Sequence, residues 1–160
     1  MSVRYIEQLY QQLQDISDPE FYRLEPEFCS EFYRFPGENM PLCVTAFLTV
    51  ANWSAASVRS GAWTFYEAAR PEDVDLTLKF LEQTGNDPLA DIFRLGIHDY
   101  QNPRYAGNCD YPEEWMEEAD QIDAWVTAHE DWLYGWEKKL LNDNREQICM
   151  WIAVETENMV

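Results

Sequence analysis

The side chains best able to do chemistry in this chain are carboxylates, and they are concentrated towards one end. Between residues 110 and 131 stand Asp110, Glu113, Glu114, Glu117, Glu118, Asp120, Asp123, Glu130 and Asp131, with no Lys or Arg among them. On a helix, residues three and four apart share a face, with Cβ atoms about 5–6 Å apart. Glu113, Glu117 and Asp120 form one such row, continued by Asp123, and Glu114 with Glu118 forms a second beside it. Like charges at that spacing destabilise a helix by a few tenths of a kcal/mol per pair. A helix shaped by stability alone would intersperse lysines. Each DNA strand presents one phosphate for every ~3.4 Å of helix axis, so a rigid row of carboxylates approximates a rail of phosphate charge. The nine acids are therefore a candidate partner-binding surface for a protein that holds DNA through Lys and Arg. The competing explanation is a solvated acidic face that keeps the chain dissolved.

Other reactive residues form no recognisable constellation. His98 precedes Asp99 and His129 precedes Glu130, but neither histidine belongs to an HExxH pattern or has a cysteine at ligand spacing, so no metal site is expected. No DxDxDG calcium loop, GxGxxG, P-loop or GxSxG occurs, and no cofactor is expected. Cys29, Cys43, Cys109 and Cys149 contain no CxxC pair and read as free thiols. Cys109 follows Gly107-Asn108, yet no base or orienting partner for a nucleophile is identifiable. Paired carboxylates fit for acid–base work are so abundant that they single out no site. These residues point away from an enzyme.

The elements that must position the acids follow from composition and periodicity. The chain has 160 residues, 30 Asp+Glu against 11 Lys+Arg and a formal charge of -19, yet 46% of it is hydrophobic and 15% aromatic. Disordered acidic chains are poor in aromatics, so a folded core is expected, in one compact domain spanning 1–160. Direct binding to nucleic acid or to an anionic membrane is disfavoured by repulsion. The longest apolar run, Leu42 to Ala51, is far short of the ~20 residues a membrane span needs. With no apolar leader in MSVRYIEQLYQQ, the expected compartment is the cytoplasm.

The pattern is helical almost throughout, predicting an all-α fold of about seven to nine helices. Tyr5, Ile6, Leu9, Leu13 and Ile16 predict a first helix over 2–15. Asp18-Pro19-Glu20 reads as an N-cap, a proline at the first helical position and an acid in the first turn, and Glu25-Pro26-Glu27 as a second start. Pro41 to Arg59, with one charge at its far end, predicts a central helix buried nearly all round. Ser60-Gly61 turns the chain, and further helices are expected over 62–69, from Pro71 to a C-terminal glycine at Gly85, and from Asp87. A loop over 101–111 precedes helices that start at Pro112 and carry the acidic rows. Trp115, Ile122, Trp125 and Val126 need not share those rows, so the inner face can pack while the acids meet water. Residues 110–160 hold fourteen acids and three bases, more than half of the net charge.

The segment SVRSGAWTFYEAARPEDVDLTLKFLEQTGNDPLADIFRLGI, from Ser57 to Ile97, resembles the core of a bacterial acidic all-helical family. Ser60-Gly61-Ala62-Trp63 stands where that family has an Asn-Gly-Gly-Phe-like turn, with Ala62 for the second glycine and Trp63 for the Phe. Phe65-Tyr66 matches an aromatic pair and Thr84-Gly85 a helix end. The likeness covers about a quarter of the chain, and its motif is structural. The family contains a DNA mimic of similar size and acidity. The resemblance implies an all-helical homodimer that occupies a helix-turn-helix transcription factor and blocks its operator binding. An immunity-type inhibitor of a basic nuclease toxin would need the same surface.

Overall fold

Helix starts are marked by proline and first-turn acids, and helix ends by glycine or by a return to polar residues. The structure is a computed structural model describing residues 2–105 and 107–160; Met1 and Ala106, the latter inside the expected 101–111 loop, lie outside them. Among the described residues there are nine α-helices and no strand: α1 (Ser2–Gln14), α2 (Glu25–Phe32), α3 (Leu42–Ser60), α4 (Ala62–Ala68), α5 (Pro71–Gln83), α6 (Asp87–Leu95), α7 (Glu113–Ala128), α8 (Glu130–Asp143) and α9 (Arg145–Asn158). The fold is all-α, as the periodicity predicts. No helix is long and apolar enough to cross a membrane among the described residues.

Two local expectations are corrected. Asp18 is not the cap of the second element: the cap is Ser17, whose backbone N–H donates to Glu20 Oε2 at 3.1 Å, and the element is a 3-10 helix, Asp18–Arg23. Helix α3 is not buried all round. It is almost wholly enclosed up to Ala51, but Asn52, Ala55, Val58 and Arg59 are exposed. Their spacing of three and four puts them on one stripe that its neighbours leave uncovered. At the end of α5, Gly85 takes φ +72 and Asn86 N–H donates to Leu81 O at 3.1 Å, the left-handed glycine ending that the sequence predicts.

The chain divides into two compact units, Met1–Leu48 with Glu130–Val160, and Thr49–His129. In the first, a run of aromatic contacts joins four helices, α1, α2, α3 and α9: Tyr10 to Phe28 at 5.4 Å, Phe32 to Phe47 at 5.7 Å and Phe32 to Trp151 at 6.1 Å. The buried Tyr10 hydroxyl donates to Leu141 O at 2.9 Å, fixing α1 against α8. In the second, Tyr66 is the centre. Its hydroxyl accepts from Trp53 Nε1 at 2.9 Å and donates to Phe93 O at 2.7 Å, while its ring stacks on Tyr100. Gly96 permits this packing, since a Cβ there would lie 2.2 Å from Tyr66 Cε2.

The first unit also buries an acid without a cation. Glu137 is 1% exposed and neither of its oxygens has a hydrogen-bond donor; Glu25, whose Oε2 is likewise buried without a donor, meets it. Ionised carboxylates only accept, so nothing at this contact offsets the cost of charging Glu137. Burial, and then Glu25, holds the Glu137 carboxyl well above its ordinary 4.5. Around the pair, burial and the carboxylates push both the Cys29 thiol and the Tyr134 phenol up to about 12.

Two predictions follow from this packing. Because the folded protein holds the Glu137 carboxyl above its ordinary 4.5, the stability this group contributes is fully present below pH 4.5 and declines as pH rises through its folded value. Glu137→Gln keeps the shape and supplies an N–H to Glu25. It should be more stable than the parent at about pH 8 by roughly 1–3 kcal/mol, with a flatter dependence of melting temperature on pH. Equal pH slopes in the two proteins would rule out a raised Glu137 carboxyl. Gly96→Ala should cost roughly 1–3 kcal/mol or more in chemical denaturation, because the Tyr66 ring is held at both ends and cannot retreat; a variant as stable as the parent would contradict that.

Candidate interaction surface

Helix α7 starts at Pro112 and carries Glu113 and Glu114 in its first turn, where backbone N–H groups favour negative charge. Ala119, Ile122 and Val126 turn inward and seat it, leaving Glu113, Glu114, Glu117 and Asp120 exposed. None of these four makes an ion pair among the described residues. Among the described residues, the ion pairs made by Lys and Arg lie elsewhere: Arg94 with Glu82 at 2.7 Å and Asp91 at 2.8 Å, Arg34 with Glu31 at 3.1 Å, Arg70 with Glu72 at 3.8 Å, Lys138 with Asp18 at 3.5 Å, and Lys139 with Asp143. The exposed face of α7 is therefore acid without counter-charge.

Two of the expected phosphate mimics are committed to structure instead. Asp123 is half-buried, and its Oδ1 accepts from Ser57 Oγ at 2.6 Å and from Ala62 N–H at 2.8 Å. Ala62 is the first residue of α4, and Gly61 before it has no side chain to cap the helix. Asp123 supplies that cap from α7, and Gly61 adopts φ +101 to deliver the amide. Glu118 is 16% exposed and pairs with His98 Nε2 at 2.9 Å; the His98 ring stacks on Trp115 at 4.8 Å between centroids. Both acids sit on the edges of the exposed face, as a helix with one packed side requires.

The remaining expected residues are dispersed. Asp110 is exposed in the loop before α7, where its N–H donates to Asn108 Oδ1 at 3.1 Å. Glu130 and Asp131 are exposed in the first turn of α8, in the other compact unit. The nine acids thus comprise an exposed set of four on one helix, two anchors, a loop acid and a pair elsewhere. The sequence pattern does not mark Asp123 or Glu118, because the donors that claim them lie 61–66 residues and 20 residues away.

The histidines and cysteines form no reactive centre. His129 stacks on Trp125 at 4.2 Å, with Nδ1 2.7 Å from Trp125 O. Among the described residues, no group of three His, Cys, Asp or Glu could hold a metal ion. All four cysteines are free. Burial raises the Cys43 thiol to about 11 and that of Cys149 upward as well, which disfavours the thiolate. Cys109 is exposed at φ +55 in the loop.

Substitutions should separate anchors from free acids. Asp123→Ala should lower stability by about 2–3 kcal/mol, since it strands the Ser57 hydroxyl and the Ala62 amide. Asp120→Asn should change it by no more than about 0.5 kcal/mol. Thermal melts of the two variants side by side test this; similar effects would dissolve the distinction.

Compared with known proteins, the chain matches no family model, no curated protein and no solved structure. Its functional reading therefore rests on its own side chains.

Proposed function

We propose that this protein is a non-enzymatic DNA mimic. Its carboxylates take the place of phosphates on a basic, DNA-binding protein of helix-turn-helix type, which it keeps from its operator. The observation that carries this reading is the exposed face of α7, where Glu113, Glu114, Glu117 and Asp120 stand together with no ion pair to Lys or Arg among the described residues. Such a face repels DNA itself and attracts what binds DNA. Fixing α7 through Asp123 and Glu118 holds the charges in place before the partner arrives, which lowers the ordering cost of binding. Much of the attraction acts at long range, so it should speed encounter and weaken as salt screens it.

The test combines capture with competition. The protein, immobilised at low salt, should retain a helix-turn-helix protein from a bacterial lysate and release it to duplex DNA or to high salt. Changing Glu113, Glu114 and Glu117 to Gln together with Asp120 to Asn should weaken that partner roughly 10- to 100-fold, at several tenths of a kcal/mol or more per charge. Melting temperature should hold or rise, because like charges are removed. Unchanged affinity would remove this face from the site. Retention of a nuclease that DNA cannot displace would favour the immunity reading.

A further inference from the structure

Against the acidic background, one cavity carries the opposite sign. It has a volume of about 370 Å³ and lies within the Thr49–His129 unit, between the exposed stripe of α3, helix α4 and the start of α5. Its charged lining is Arg59, Arg70 and Asp73. Two of the chain's 11 basic residues therefore share one cavity with a single acid, leaving one positive charge in a protein of -19. Arg59 makes no ion pair among the described residues, and Arg70 reaches only the exposed Glu72, at 3.8 Å. The space exists because Ala55, Ala56, Ala68 and Ala69 line it where larger side chains would fill it, and Phe65 adds an aromatic surface. Ser60 and Thr64 also line it, their hydroxyls 2.9 Å apart.

We propose that this cavity binds a small organic monoanion, a carboxylate carried on a compact apolar body. Arg59 and Arg70 hold the carboxylate, since guanidinium groups match its two oxygens. The alanines and Phe65 enclose the apolar part. The volume lies at the small end of ligand pockets, which begin near about 300 Å³, and so limits the body to about one ring. The two lining guanidiniums suit one carboxylate, whereas a doubly charged phosphate would meet Asp73 in the lining, Glu72 beside Arg70 and the acidic field of the chain. This site is independent of the α7 surface.

Phenylacetate serves as the probe, titrated into the isotope-labelled full chain and followed by amide NMR. Saturable shifts are expected at residues lining the cavity, with Kd on the order of 1 mM for so small a ligand. Phenyl phosphate should bind more weakly, and neutral phenylacetamide should not saturate. Arg59→Gln and Arg70→Gln should each weaken phenylacetate about tenfold, as expected for loss of a charged hydrogen-bond partner, while melting temperature is unchanged. Ala68→Leu should abolish binding with both arginines in place, because it fills the cavity. No saturable shift, equal binding of the amide, or full affinity in Ala68→Leu would each overturn the proposal.

Discussion

With 30 carboxylates and only 11 lysines and arginines, most acids in this chain cannot have a cationic partner. That shortage organises the structure. Some acids are satisfied by neutral donors: Asp123 by a hydroxyl and a backbone amide, Glu155 by Asn39 Nδ2 at 3.3 Å, and Glu20 by the Ser17 amide. Glu137 is buried without a donor, and burial together with Glu25 holds its carboxyl well above the ordinary value. Five of the 11 bases, Arg34, Arg70, Arg94, Lys138 and Lys139, make ion pairs among the described residues, with Arg94 bridging α5 and α6. What is left over stays in water, and on α7 it stays together.

The acids can be left crowded because the aromatic interior resists their repulsion. Surface like-charge pairs each cost only a few tenths of a kcal/mol, whereas burying one large aromatic side chain contributes about 1.5–3 kcal/mol. Trp53, Tyr66, Phe93 and Tyr100 are all nearly or fully enclosed in the unit that carries α7. Their hydroxyl and indole groups are also partnered, so this core has a defined arrangement.

The same shortage sharpens the meaning of the exceptions. A base in this chain is most useful where it pairs with an acid nearby, and Arg59 and Arg70 do not use that opportunity fully. Their place beside an alanine-lined cavity is a local reversal of a global property. Global charge governs which macromolecules approach; local charge governs what enters a pocket of a few hundred cubic ångströms.

Apolar spacing in the sequence identified the helical class, and proline, glycine and first-turn acids placed most helix ends within a residue or two. Those signals are legible because they act over one or two turns of backbone. Net charge and its concentration beyond residue 109 were equally plain. Burial and long-range donors were not. Asp123 and Asp120 look alike in a row of acids, yet one caps α4 and the other meets water. Glu137 resembles any glutamate of an amphipathic helix until α2 brings Glu25 against it. Arg59 reads as the last charge of a buried helix until α4 leaves its stripe open. Composition decided how much charge the chain carries. Only tertiary packing decided which charges are spent on structure and which remain in water, because a carboxylate's role depends on the donors that distant segments bring to it.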